Sequence, residues 1–149
     1  MRYRQTIAVL ALIGLFVALY LWLHALGFGG PLRCGTGGCD TVQTSRWATL
    51  FGLPVALYGV VGYALILLAA LAGLRPAAVQ RRDVSYLLVA LASLGFVFTL
   101  YLTYLELFVI HAVCRWCVGS AVIITMIWVV AVLEVGGGRR KTAEGGAGP

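Results

Sequence analysis

The chain has 149 residues, of which 62% are hydrophobic and 11% charged, against about one-quarter charged in a soluble domain. Composition therefore places it in a bilayer and leaves no room beside the apolar part for a separate soluble catalytic module. The net charge of +6 comes from basic residues at the ends of apolar runs, not from a patch interleaved with exposed aromatics, and this excludes nucleic acid as a partner.

Thr6 to Leu26 and Leu50 to Leu74 are apolar runs, each matching the roughly 20 residues a helix needs to cross about 30 Å of hydrocarbon. The first has features of a signal peptide, with Arg2 and Arg4 before it and a small-x-small site at Ala25-Leu26-Gly27. It exceeds the usual h-region of about 7 to 15 residues, so it reads as a span. From Val84 to Leu133 the sequence stays apolar except for Glu106, His111 and Arg115. One helix of that length would run about 75 Å at roughly 1.5 Å per residue, so the segment splits near 110–113 into two spans joined by a tight turn.

The expected fold is an all-α integral membrane protein, a bundle of four transmembrane helices over about 6–26, 50–74, 84–109 and 114–133 within one domain, 1–135. The Gly-rich basic segment 136–149 has nothing to bury and is expected to be a disordered tail.

Basic residues in short flanks are retained in the cytoplasm. Of the 11 Lys and Arg, Arg33, Arg46 and Arg115 alone fall on the side of the 27–49 loop and the 110–113 turn. A multi-pass protein of the plasma or inner membrane is expected, with both termini cytoplasmic and the loop and turn extracytoplasmic.

All four cysteines lie on that outer side, the oxidising one in a bacterium. Four cysteines allow three pairings, and spacing alone does not choose between them. Cys114-Arg115-Trp116-Cys117 is a CxxC at the start of span four, where a helix N-terminus, Arg115 or a protonated His111 lowers a thiol pKa. Cys34-Gly-Thr-Gly-Gly-Cys39 has a glycine-rich spacer that closes easily into a small exposed ring. Structural disulfides add little to a bundle that already satisfies its backbone, and zinc, for which CxxC is a common half-site, suits neither the oxidising side nor a membrane helix start, so no metal is expected. Thiol–disulfide exchange remains the favoured chemistry. Near the outer end of span three, His111 is a candidate to hydrogen-bond a quinone carbonyl or a thiolate, while Glu106, like His24 on span one, reads as facing the headgroups.

The order of features resembles the bacterial form of the vitamin K epoxide reductase family: loop cysteines between spans one and two, Cys39 followed by Ser45-Arg46-Trp47, Gly52-Leu-Pro54 opening span two, Tyr58-Gly59 and Gly62-Tyr63 within it, and CxxC at span four. The resemblance implies four helices around a quinone pocket, capped by an extracytoplasmic loop. It implies that Cys34 and Cys39 form a shuttle pair, that Cys39 exchanges with Cys114, that Cys117 faces the quinone, that Ser45 supplies a hydroxyl linked to activity, and that Trp47 caps the pocket. The implied activity is a membrane thiol:quinone oxidoreductase, with menaquinone or ubiquinone as acceptor.

Where vertebrate members carry a tyrosine after the CxxC and an asparagine in span two, this chain has Ala121 and no Asn at all, so epoxide reduction is not expected. No fused thioredoxin-like domain follows, and the expected electron donor is a separate DsbA-like or thioredoxin-like extracytoplasmic protein. Rival readings are a DsbB-like oxidase, whose two pairs occur in the opposite order, and a non-catalytic scaffold with static disulfides. The topology is tested by Thr36→Cys and Thr142→Cys in intact cells. An impermeant maleimide should label the first and spare the second, and labelling of both would end the four-span reading.

Overall fold

The computed structural model describes residues 2–30, 38–77 and 81–146; Cys34 lies outside them. Its helices are α1 (Arg2–Ala25), the short α2 (Gly38–Thr44), α3 (Val55–Gly73), α4 (Arg82–Tyr104) and α5 (Arg115–Gly145), and α4 continues as a π-helix over Leu105–Ile110. Among the described residues four helices are long and apolar enough to cross a membrane.

The bundle starts from a stripe on α1. Arg4, Ile7, Ala11, Gly14, Ala18 and Leu21 are buried at alternating steps of three and four, with Ala8 buried beside Ile7. That spacing of 3.5 residues keeps one stripe against its neighbours in a left-handed bundle. Small residues in the stripe matter because lipid gives helices no hydrophobic reason to associate, so van der Waals contact at close range must do it. At Gly14 the ring of Tyr63 from α3 occupies the space a Cβ would need. α1 lies beside α3 and α5, and α4 closes the ring between those two. Ile66, Leu88, Ala92, Ile124 and Ile127 fill the middle. Phe96 stacks on Trp128 at 4.9 Å, and the Trp128 indole N–H donates to Ser93 Oγ at 3.0 Å, which satisfies a donor that hydrocarbon would leave unpaired. Phe16, Leu68 and Leu94 point outward, which suits a lipid-facing surface and would be a liability in water.

Span two begins later than its apolar run suggests. Thr49–Leu50 (β1) and Leu53–Pro54 (β2) pair antiparallel in a hairpin, with Phe51 and Gly52 both at positive φ, 53° and 79°. Those are the signs of a type I′ turn, whose twist suits two adjoining strands. Pro54, lacking an N–H, stands just before α3. At the far end of the chain, the segment expected to be disordered differs too, since α5 runs on to Gly145. Extending an existing helix costs far less than nucleating one.

At the end of the bundle that carries both termini, Arg4 ties all four spans together. Its Nε donates to Glu134 Oε1 on α5 at 2.7 Å, and its other nitrogens donate to the Gly73 carbonyl ending α3 and to Ser85 Oγ on α4. Ser85 Oγ donates in turn to Glu134 Oε1 at 2.8 Å. Glu134→Ala would leave the guanidinium buried without its counter-charge, an expected loss of about 3 kcal/mol or more. The check is thermal unfolding in detergent, where Arg4→Leu combined with Glu134→Leu should recover part of the loss. A double variant no more stable than Glu134→Ala would show that charge pairing is not what holds this end.

Candidate active site

The cysteines lie at the opposite end, where helices stop and the backbone turns. α1 closes with Gly27 at φ 84°, its N–H bonded to His24 O and that of Phe28 to Leu23 O, the two bonds of a Schellman motif. The chain later returns over the bundle as α2. Gly38 at its start is forced by contact, because a Cβ there would sit 2.5 Å from the Val113 carbonyl oxygen. This approach brings Cys39 into one buried cluster with Cys114, Val42 and Leu21, with Cys117 packed against it. Cys39 is disulfide-bonded, whereas Cys114 and Cys117 are free thiols.

The π-helix that ends span three governs the other half of the site. His111 follows it in the left-handed region, φ 56°, and the N–H groups of His111 and Ala112 both return to the Glu106 carbonyl. A π turn takes in more residues than an α turn and shifts which side chain faces the bundle. That shift falls on the residues after Glu106, which stands five α turns, at about 3.6 residues each, beyond buried Leu88 and so already faces inward and is buried, contrary to the headgroup position its place in the sequence suggests. Its Oε2 accepts the Cys114 backbone N–H at 3.2 Å, so a carboxylate caps the start of α5. Cys117 lies within that helix's first turn, and Gln43 Nε2 of α2 donates to its sulfur at 3.7 Å.

Beneath this cap the spans enclose a cavity of about 610 Å³, within the usual ligand-pocket range of about 300–1,000 Å³. Its lining is largely apolar. Polar groups gather towards the cysteines: Gln43 and Ser45 from the cap, Glu106 from α4, Cys117 and Ser120 from α5. Tyr63 closes the middle, its hydroxyl 2.9 Å from both the carbonyl and the hydroxyl of Ser120. Val61 and Leu94 also line the cavity while remaining 51% and 70% exposed, so it opens sideways between α3 and α4 towards lipid.

Three of the four cysteines are described and come together, but only Cys117 reaches the cavity. Ser45 and Trp47 line it as well. The Ser45 hydroxyl donates to Val42 O at 2.8 Å and so fastens the end of α2, while the Arg46 guanidinium stacks over the Trp47 ring at 5.0 Å. His111 is exposed on the turn and is not among the lining residues. Its side chain follows the left-handed turn outward, and its contribution here is the backbone cap. Gln43 and Tyr63 enter the site without having been singled out as site residues; no local motif marks Gln43, and Tyr63 stood out only as part of the Gly62-Tyr63 pair in span two. Ser120, one helical step of three from Cys117, was within reach of a periodicity argument.

A buried apolar cavity opening to lipid, with a dithiol at its polar end and four membrane spans around it, defines a class, the multi-pass membrane oxidoreductases. The sequence profile of the Vitamin K epoxide reductase family matches residues 5–132, a stretch that includes all four cysteines, and the chain belongs to that family.

Cys114 precedes the fourth span, and its thiol pKa is lowered to about 7, chiefly because the Cys117 thiol donates a hydrogen bond to it; burial and the nearby Glu106 carboxylate oppose this. A lowered pKa means the thiolate persists down to about pH 7 and is lost below it. In the reduced protein, thiolate absorbance should therefore titrate with a midpoint near pH 7. Cys117→Ala removes the main cause and should move the midpoint upward; an unchanged midpoint would assign the shift to something else.

Proposed function

We propose that this protein is a membrane thiol:quinone oxidoreductase that reoxidises a DsbA-like or thioredoxin-like partner and so supports disulfide formation outside the cytoplasm. The observation that carries the reading is that Cys117 belongs at once to the free dithiol and to the lining of the apolar cavity, while Cys114 beside it packs against Cys39. One thiol faces where a lipid-soluble acceptor fits, and the other faces where a disulfide in the loop exchanges.

The cavity suits a quinone on chemical grounds. Its lining is largely apolar, it opens to the bilayer, and the Gln43 amide that lines it donates to the Cys117 sulfur. We assign the head group to the end formed by Gln43, Trp47 and Cys117, and the isoprenoid tail to the gap by Val61 and Leu94. A bound quinone, menaquinone or ubiquinone, supplies an acceptor for two electrons. Gln43 retains a donor beyond the one it gives Cys117, whereas Ser45 has committed its hydrogen to Val42 and serves by holding the cap in place.

In the proposed sequence the partner's thiolate attacks the disulfide of the Cys34/Cys39 shuttle pair, and a mixed disulfide resolves into an oxidised partner and a reduced pair. Cys39 then attacks Cys114 of an oxidised Cys114–Cys117 bond and releases Cys117; Cys34 attacks Cys39, re-forming their disulfide and freeing Cys114, and the regenerated dithiol passes two electrons into the cavity. The excess of basic residues at the ends near Arg4 and Arg139 supports an orientation with both termini cytoplasmic. Ala121 and the absence of Asn support quinone rather than epoxide as the acceptor.

The reading is tested with purified variants. Cys117→Ala should abolish quinone reduction even when a small dithiol bypasses the loop pair. Cys114→Ala should stop turnover yet keep a sulfur that forms an adduct or charge-transfer band with quinone. Stopped-flow spectra that gave the band in Cys117→Ala and none in Cys114→Ala would reverse the two roles.

A further inference from the structure

The proposed reaction leaves one requirement unmet. In the dithiol the proton of Cys117 is held between neighbours, and a sulfur that keeps its proton is a poor nucleophile. Something at the bottom of the cap must take it, in a place that water reaches poorly.

Glu106 is in contact with both thiol-bearing residues. Its Oε2 accepts the Cys114 backbone N–H at 3.2 Å, and the carboxylate lies close enough to Cys117 to compete with Cys114 for that thiol's one proton. It is 7% exposed, and it lines both the main cavity and a smaller groove between α4 and α5, two spaces that also share Cys117. Among the described residues it is the sole acid on the cavity wall, and no Lys, Arg or His accompanies it there. Beside it are Cys114 and Cys117, and the rest of the cavity wall brings the neutral amide of Gln43 from α2, the phenols of Tyr58 and Tyr63 from α3, and Ala18 and Leu21 from α1. A carboxylate buried among such neighbours, with donors on one side only, is costly as a mere cap.

Building on the thiol:quinone reading, we infer that Glu106 is the proton carrier of the reaction, taking the proton of Cys117 as its sulfur attacks and delivering it to a quinone oxygen. The balance closes. Two S–H bonds are lost and the Cys114–Cys117 bond forms; two electrons and two protons reach the quinone, which leaves as quinol. The carboxylate ends as it began, having carried the Cys117 proton; the second comes from the Cys114 thiol, or from water where that thiol, with its pKa about 7, is already ionised.

A signature separates this role from capping. A thiolate paired with a neutral carboxyl holds as many protons as a thiol paired with a carboxylate, so its population does not vary with pH while the pair keeps one proton. Cys114→Ala removes the second thiol and preserves the backbone N–H that Glu106 accepts. In that protein, kept reduced and free of quinone, Cys117 alkylation by N-ethylmaleimide, followed by peptide mass, should be flat over a span of pH. Adding Glu106→Gln retains the acceptor for the cap and removes the base, and the rate should then climb about tenfold per pH unit, as for an ordinary thiol. Identical slopes in the two proteins would overturn the inference.

In single turnovers of the otherwise native reduced protein with a short-chain quinone, Glu106→Gln should be slower by at least about 100-fold and Glu106→Asp should recover part of the rate. A Glu106→Gln protein as fast as the native one would equally refute a carrier role. Should the native protein reduce no quinone, the functional reading fails, and the alkylation slopes still decide what Glu106 does.

Discussion

A backbone inside hydrocarbon must bond to itself, because an unpaired N–H or carbonyl there costs several kcal/mol. This chain obeys by making four long helices and sending its irregular segments to their ends. The site inherits its position from that rule. Thiol exchange needs turns, a movable loop and some access to water, and none of these is tolerated in mid-membrane. The cysteines therefore gather where α1, α4 and α5 start or stop, and the chemistry reaches the lipid phase only through the side chain of Cys117.

The two ends of the bundle solve opposite problems. Around Arg4 the polar groups are spent on one another except for the second carboxylate oxygen of Glu134, and one guanidinium fixes the spans. Around Cys117 they are only partly spent. Gln43 keeps a donor, the dithiol shares its hydrogens, and Glu106 holds a charge beside groups that give up protons. Stability is concentrated at one end so that the other can stay reactive.

How much of this was legible in the sequence depends on the range of the interaction. Four spans follow from apolar length, and the CxxC from adjacent letters, because both are local. The first loop pair and the Ser45-Arg46-Trp47 stretch were visible as a resemblance. Contacts that arise only when distant segments meet were not: nothing near Gln43 says it will touch Cys117, and nothing near Gly38 says it will meet Val113. Glu106 misled for a different reason. Its nearness to the outer end of the span suggested the interface, but it stands five turns, at about 3.6 residues each, beyond buried Leu88, which sets it on the inward face. Span two misled because Leu50 and Leu53 are apolar whether they lie in a hairpin or a helix; Pro54 was the clue. The tail shows the limit of composition, since its glycines argue against order while the helix before them carries on.

That π turn also has a bearing on how such a protein is altered by changes in length. A π-helical segment behaves as an α-helix with a residue inserted, and each residue of an α-helix turns the chain by about 100°. Losing one codon from Leu107 to Ile110 would leave the span long enough for the bilayer and the CxxC untouched, yet turn the cap and the dithiol away from the carboxylate. The acid and the dithiol are thus separable by a single indel. A homologue one residue shorter in this segment should have its thiols turned away from such an acid, or have no acid there, and would need some other group to manage protons at its thiols.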